Sequence, residues 1–279
     1  MFLEIKGLNK SFSGRDKKTK ALEEINLNIA AGEFVCVLGP SGCGKTTLFN
    51  IIAGLSKADS GLIKLEGKSV SGPGADRAVV FQQGALFPWL DVRANVGFAL
   101  RGKKLGKKAK NDLINEYLKM VRLSDYATAY VHELSGGMKQ RVAIARALAC
   151  DSKILLLDEP FSALDNHNRE LLRAELISIW DKTGKTILFI THSVEEALYL
   201  ADRVVLMAMS PGRIVGIKEI STPRERNLQD EYFLALAEEF KNTLGEEIDE
   251  DDREKKIECG NNSKSDFLCE SVDNLDCCI

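Results

Sequence analysis

The sequence predicts an α/β fold with a mainly parallel sheet. Two observations carry that expectation. Apolar runs of strand length alternate with helix-period segments through the first 244 residues. A glycine-rich turn directly follows one such run and opens a helix. The chain has 279 residues, 44% of them hydrophobic and 28% charged, enough for one large domain or two small ones. That composition excludes a disordered, collagen-like or coiled-coil chain.

Phe2–Lys10 and Ala21–Ile29 alternate apolar and polar residues as half-buried strands do. Glu33–Leu38 is a more fully apolar strand that ends at Gly39. Helix-period segments follow at Lys45–Ala53, Val92–Leu100, Asp112–Arg122 and Gly137–Ala149, the last with Val142, Ala145 and Ala149 on one face. Ile154–Leu157 and Thr186–Ile190 read as buried strands, with Asn166–Trp180 and Val194–Leu200 as the helices between them. Arg203–Met207 and Arg213–Lys218 read as a closing β pair, and Gln229–Leu244 as a final helix. No internal repeat is present, so each motif below occurs once.

Charge is uneven. Residues 245–279 carry twelve Asp or Glu against four Lys or Arg, a balance of −8; the net charge of −3 therefore leaves +5 on residues 1–244. A body so weakly basic does not argue for nucleic acid, but it suits a phosphate ligand. No run approaches the roughly 18 apolar residues of a membrane span, and charges interrupt the first residues at once, unlike a secretory leader. A soluble chain is expected, with any membrane role depending on a partner. Cys36, Cys43 and Cys150 show no paired spacing, which fits a reduced, cytosolic compartment. Arg101–Lys110 is strongly basic; a solvated loop ahead of a helix is favoured over a patch that touches a membrane.

Gly39-Pro40-Ser41-Gly42-Cys43-Gly44-Lys45-Thr46 fits G-x-x-x-x-G-K-[ST] between an apolar strand and a helix. A triphosphate is a dense anion, so the loop must turn several backbone N–H groups inward, and glycines permit the dihedrals. The helix start adds aligned donors. Lys45 is the candidate bridge between β- and γ-phosphates, Thr46 a candidate Mg²⁺ ligand, and Gly39 to Thr47 the candidate nucleotide contacts. A chance glycine-rich turn is the competing reading, and the flanking strand and helix disfavour it.

Ile154–Leu157 would bury a strand and deliver Asp158 and Glu159 at its C-terminal edge, where α/β proteins bind ligands. Asp158 is the candidate metal carboxylate. Glu159, one residue on and therefore on the other side of the strand, is the candidate base for the attacking water. An acidic pair after a strand is often merely solvated; with a phosphate loop 113 residues upstream, from Lys45 to Asp158, the functional reading is preferred. Leu134-Ser135-Gly136-Gly137-Met138 opens another helix and offers a second anion site, although an ordinary Ser N-cap would look the same.

Together these segments resemble the ATPase subunit of an ABC (ATP-binding cassette) transporter. Leu134–Met138 is similar to the family's LSGGQ signature with Met for Gln, and motifs run in family order over residues 2–220. The resemblance implies a P-loop NTPase ABC cassette: a RecA-like core, an antiparallel β-subdomain and a helical subdomain, with the ATPase domain over 1–244 and the helical part at about 84–150. It implies that Phe12 stacks on adenine and that Gln82 senses Mg²⁺ and the transmembrane partner. It implies further that Ser162-Ala163-Leu164-Asp165 couples two sites, with Asp165 among the nucleotide contacts, and that His192 meets the γ-phosphate. Any one of these is weak alone, since Phe12 could be core and a lone His after a strand is usually structural.

The resemblance further implies ATP and Mg²⁺ as cofactors and a head-to-tail dimer. Each nucleotide would lie between one chain's Gly39–Thr46 and the other's Ser135–Gly137. Transmembrane permease subunits and a solute-binding protein would be partners, at the cytoplasmic side of the membrane. Phe81–Trp89 and Met209–Ile214 are similar to the nitrate/sulfonate/taurine/bicarbonate importer subfamily. Exporter subunits are the nearest alternative. A cassette acting on nucleic acid would carry a second cassette or a long heptad insertion, yet only 51 residues separate Gln82 from Leu134. Cys259, Cys269, Cys277 and Cys278 in the acidic tail fit neither a zinc pattern nor a prenylation box, and 245–279 is expected to be disordered.

Overall fold

The computed structural model of the chain describes residues 1–13, 18–82, 85–209, 211–224 and 226–245. In chain order its elements are β1 (Leu3–Ser13), β2 (Lys18–Ile29), β3 (Phe34–Leu38), α1 (Lys45–Ala53), β4 (Ser60–Leu65), β5 (Lys68–Ser69) and β6 (Arg77–Val80). These are followed by α2 (Val92–Phe98), α3 (Lys107–Met120), α4 (Gly136–Ala149), β7 (Ile154–Asp158), α5 (Asn166–Thr183), β8 (Thr186–Thr191), α6 (Val194–Leu200), β9 (Arg203–Ala208) and β10 (Arg213–Glu219). A last helix, α7, covers residues 231–245.

Two sheets form. One is antiparallel in the order β2-β1-β4-β5, with Leu3 opposite Ile29 and Phe12 opposite Thr19. The other has the order β10-β9-β3-β8-β7-β6; β9, β3, β8, β7 and β6 run parallel and β10 closes the edge antiparallel to β9. Strand period explains the layering. Phe34, Cys36 and Leu38 of β3, with Leu155 and Leu157 of β7, face the core shared with α2 to α7. Val35, Val37, Ile154 and Leu156 face the opposite core, with β1, β2, β4 and α1. Both faces of the parallel strands are thus covered, as their continuous apolar runs require.

Sequence expectation and structure differ at definite places. The strands β4 to β6 were not expected: Ser60 and Gly61 open β4 with residues typical of a turn, while β5 and β6 are only two and four residues long. Helix α3 begins at Lys107 rather than Asp112, because lysines form helix well but carry no apolar stripe to betray it. The final helix inserts Phe233, Leu236 and Phe240 into the core at helical spacing. Among the described residues no helix is long and apolar enough to cross a membrane. The expectation of a disordered tail over 245–279 lies, apart from Gly245, outside the described residues, as do Gln83, Gly84 and Ser210 of the subfamily segments.

Candidate functional site

Parallel strands end together, so β3, β7 and β8 deliver Gly39, Asp158 and His192 to one edge of the sheet. Gly42 and Gly44 adopt φ of 89° and 90°, a left-handed turn that side chains resist, and this turn reverses the chain into α1. Helix α1 is capped by Gly44 without any side-chain acceptor, which leaves its first amides available to an anion. Lys45 is only 4% exposed, and its Nζ donates to the carbonyls of Gly39 (2.8 Å) and Pro40 (2.7 Å). Burial pushes the Cys43 thiol up despite the neighbouring Lys45, so this cysteine is packing rather than a reactive thiolate. Thr47 continues the first turn, half-buried.

Asp158 is 7% exposed, beside the Thr46 hydroxyl. Burial, reinforced by the charge of Glu159, lifts its carboxyl above the usual carboxylate range, against the pull of Lys45 and Thr46. Its Oδ1 is buried without a hydrogen-bond partner. A buried carboxylate oxygen with no partner, next to a hydroxyl, is a donor set that fits a hard divalent cation. Among the described residues no group of three or more His, Cys, Asp or Glu could hold a metal, so such an ion would take its remaining ligands from water and phosphate.

Glu159 does not continue the strand, as simple alternation would have it. Strand β7 stops at Asp158, and Glu159 has φ of 42°, a left-handed conformation that costs a non-glycine residue of order 1 kcal/mol or more. Four contacts hold it there. Its N–H donates to the Ile190 carbonyl (3.0 Å), its carbonyl accepts from Ser162 Oγ (3.0 Å) and from Ser162 N–H (3.2 Å), and its Oε2 lies 3.0 Å from His192 Nδ1. Gln82 Nε2 in turn donates to Ser162 Oγ (3.0 Å). The geometry therefore joins Gln82, Ser162, Glu159 and His192 in one chain of contacts. Glu196 braces the strand end before His192 by accepting from Thr191 Oγ1 at 2.5 Å.

The remaining candidates stand further out. Phe12 is exposed on β1, under the Lys10 ammonium, and pairs with Thr19, two residues before Ala21. Ala21 packs against the loop: a Cβ on Gly44 would lie 2.7 Å from its carbonyl. Asp165 caps α5 by accepting from Asn168 N–H, which also holds its carboxyl below the usual range. Ser135 caps α4 by accepting from Met138 N–H at 3.3 Å, a main-chain contact indifferent to the Met side chain. Gly136 and Gly137 lie against Leu164. Among the described residues no hydrogen bond links this turn to residues 39–47.

Sequence reading missed four supports. Ser162 was seen only as part of a segment, and nothing in the sequence announces its bridge to Gln82. Glu196 is buried inside a helix, where a Glu three residues after the Ser193 cap reads as a capping residue. Asn95 is fully buried and fixes the loop before it, accepting from Phe87 N–H and donating to Phe87, Leu90 and Asp91 carbonyls. Gly212 donates to the Ala21 carbonyl, and a Cβ there would come within 2.3 Å of the Cys43 carbonyl, so it is the floor on which the phosphate loop rests.

A phosphate loop at the C-terminal edge of a parallel sheet, with a carboxylate pair on the next strand and a second helix start, defines a P-loop nucleoside-triphosphatase of the cassette type. The ABC transporter family model matches residues 22–162, and the chain belongs to that family as an ATPase subunit. It is 50% identical over 223 residues to the nitrate import ATP-binding protein NrtD of Synechocystis sp., a match covering 80% of this chain and 84% of that one. The taurine import ATP-binding protein TauB of Roseobacter denitrificans is 51% identical over 195 residues, covering 70% and 73%. Among solved structures, the dimeric post-hydrolysis state of the cassette MJ0796 with ADP and Pi superposes with a TM-score of 0.69 at 31% identity, covering 79% of this chain and all of that one.

Proposed function

We propose that this ATPase is the motor subunit of an importer for a small anion or organic solute of the nitrate, sulfonate, taurine or bicarbonate type, working through a separate permease. The contact chain from Gln82 to His192 through Ser162 and Glu159 carries the reading, because it ties a loop that could feel a permease to the group that could activate water. Relatives named for nitrate and taurine import at nearly the same identity support import and leave the cargo to subunits other than this one.

In this reading Phe12 stacks on the adenine, while the α1 amides and Lys45 take the β- and γ-phosphates. Lys45 exchanges two carbonyl bonds for stronger charge-assisted ones. Thr46, Asp158 and Gln82 would hold Mg²⁺, which when bound neutralises phosphate charge. Glu159, oriented by His192, accepts the proton of the water that attacks the γ-phosphorus; the bond to the β-γ bridging oxygen breaks, and ADP and phosphate leave. The Ser135–Gly137 turn of a second copy closes over the γ-phosphate in a head-to-tail dimer, and Asp165 joins that seam. ATP favours the closed pair because it touches both halves only there, and hydrolysis releases them.

The division into an ATPase domain over 1–244 with a helical subdomain near 84–150 belongs to the same proposal. That subdomain docks on the permease at the cytoplasmic side of the membrane, and a solute-binding protein delivers cargo from the other side. The test is co-purification from native membranes followed by uptake in proteoliposomes. A hydrophobic permease and ATP-driven uptake are expected. Nucleic acid in place of a permease would overturn the proposal.

A further inference from the structure

The strongest positive charge concentration among the described residues outside the nucleotide site is the segment before and into α3. Arg101, Lys103, Lys104, Lys107, Lys108 and Lys110 place six cations in ten residues with no acidic residue among them. Lys103 has a carboxylate partner, Asp151 at 3.4 Å. Among the described residues Lys104, Lys107, Lys108 and Lys110 have none, and the first three are exposed. The first turn of α3 carries no acidic side chain, so the lysines there face a helix end of their own sign. Among the described residues no carboxylate pairs with Lys104, Lys107, Lys108 or Lys110 to offset that cost.

The cationic segment is continuous with an exposed aromatic one. The Arg101 guanidinium lies 4.7 Å over the Phe98 ring, Phe98 is 4.5 Å from Phe87, and Phe87 is 5.5 Å from Trp89. Trp89 is 72% exposed, and Asn95 holds its loop rigid through four hydrogen bonds. Lysines beside an exposed tryptophan are the pairing that the headgroup layer of a bilayer selects.

We propose that residues 101–110, with Trp89 and Phe98 at their edge, form a ledge that rests on anionic phospholipid headgroups beside the permease. The inference takes only its location from the importer reading. Lipid is favoured over protein as the occupant by charge. Cytoplasmic loops of membrane proteins are themselves rich in Lys and Arg, whereas the cytoplasmic leaflet supplies the negative surface. The ledge would fix the helical subdomain's height on the membrane. The sequence favoured a solvated loop over a membrane contact; the proposal takes the second reading, on four lysines without a carboxylate partner among the described residues and the ring contacts that run to Trp89.

The test is co-flotation of the purified full-length chain with phosphatidylcholine vesicles, with and without phosphatidylglycerol, at low and high salt. The chain should float with the anionic vesicles and be released by salt. K104Q/K107Q/K108Q/K110Q should lower the vesicle partition coefficient on the order of 10³-fold while keeping the parent's ATPase rate. A parent that stays unbound, equal binding to neutral vesicles, or undiminished flotation of the variant would each overturn the proposal. So would preferential binding of single-stranded RNA over the anionic vesicles. The vesicles contain no permease, so failure here leaves the import reading to its own test.

Discussion

The two helix starts that could hold a phosphate, α1 after Gly44 and α4 after Ser135, are finished differently. Helix α1 has no side-chain cap, and around it stand Lys45, Asp158, Glu159 and His192. Helix α4 is capped by its own Ser135 hydroxyl and is backed by Leu164, with no hydrogen bond to the phosphate loop among the described residues. One region has acid, base and cation together; the other has only helix-end amides and two small residues. Such a pair supports a division of labour in which each chain supplies chemistry to one nucleotide and a clamp to another. In that proposal folding one chain makes two unequal halves, and function depends on association.

The sharpest way to break that comparison is to remove the chemistry and keep the clamp. Glu159→Gln should lower turnover by about 10²–10⁴-fold, the usual range for a lost general base. ATP binding should persist, and light scattering should find a dimer that outlasts the assay. Rapid hydrolysis by this variant would end the assignment of Glu159 as base. The converse change keeps the chemistry and removes the clamp. Ser135→Arg should cost on the order of 10²-fold in turnover, comparable to losing donors aimed at developing charge. ATP titration of the dilute single chain should give the parent's affinity; normal ATPase activity would show the α4 start to be an ordinary cap.

A smaller effect is expected under the loop. An Ala at Gly212 would set a Cβ 2.3 Å from the Cys43 carbonyl, and backbone must move because no flexible side chain is there to yield. Overpacking of this kind costs about 1–3 kcal/mol. Since Cys43 belongs to the phosphate loop, Gly212→Ala should weaken ATP affinity about tenfold as well as lower the melting temperature. A variant that loses stability alone, with affinity intact, would separate the floor from the loop.

These contrasts also mark how far the sequence was legible. The strands β3, β7 and β8 and the loop between β3 and α1 announce themselves, because buried parallel strands are continuous apolar runs and a triphosphate cradle needs glycines at fixed spacing. The catalytic candidates at the strand ends follow from that register. Ser162, Asn95 and Gly212 were illegible because their roles depend on partners 80, 8 and 191 residues away, reached only through the fold. The left-handed turn at Glu159 was illegible for a different reason: glutamate carries no mark of it, and contacts from Ile190, Ser162 and His192, far from it or after it in the chain, hold it. The lysines of α3 misled because charge masked the helix they begin.

The smallest expected effect concerns Asp158, and its sign runs against activity. Burial and Glu159 lift its carboxyl above the ordinary value of 3.8. Between that value and the raised one, the folded chain binds more protons than the unfolded chain, so stability falls as pH rises through the window. At neutral pH the ionised group is therefore carried at a cost, which acidification below the raised value relieves. Glu175 and Glu196 are shifted the same way by burial, so the parent's pH profile alone cannot isolate Asp158. Asp158→Asn can: without metal or nucleotide it should melt a few degrees higher than the parent near pH 7, and that gain should fade on acidification. The same variant should lose the stabilisation that magnesium and ATP together give the parent. Equal or lower melting at neutral pH would mean that Lys45 and Thr46 fully compensate the buried charge, and that the partnerless oxygen is not a site kept for a cation.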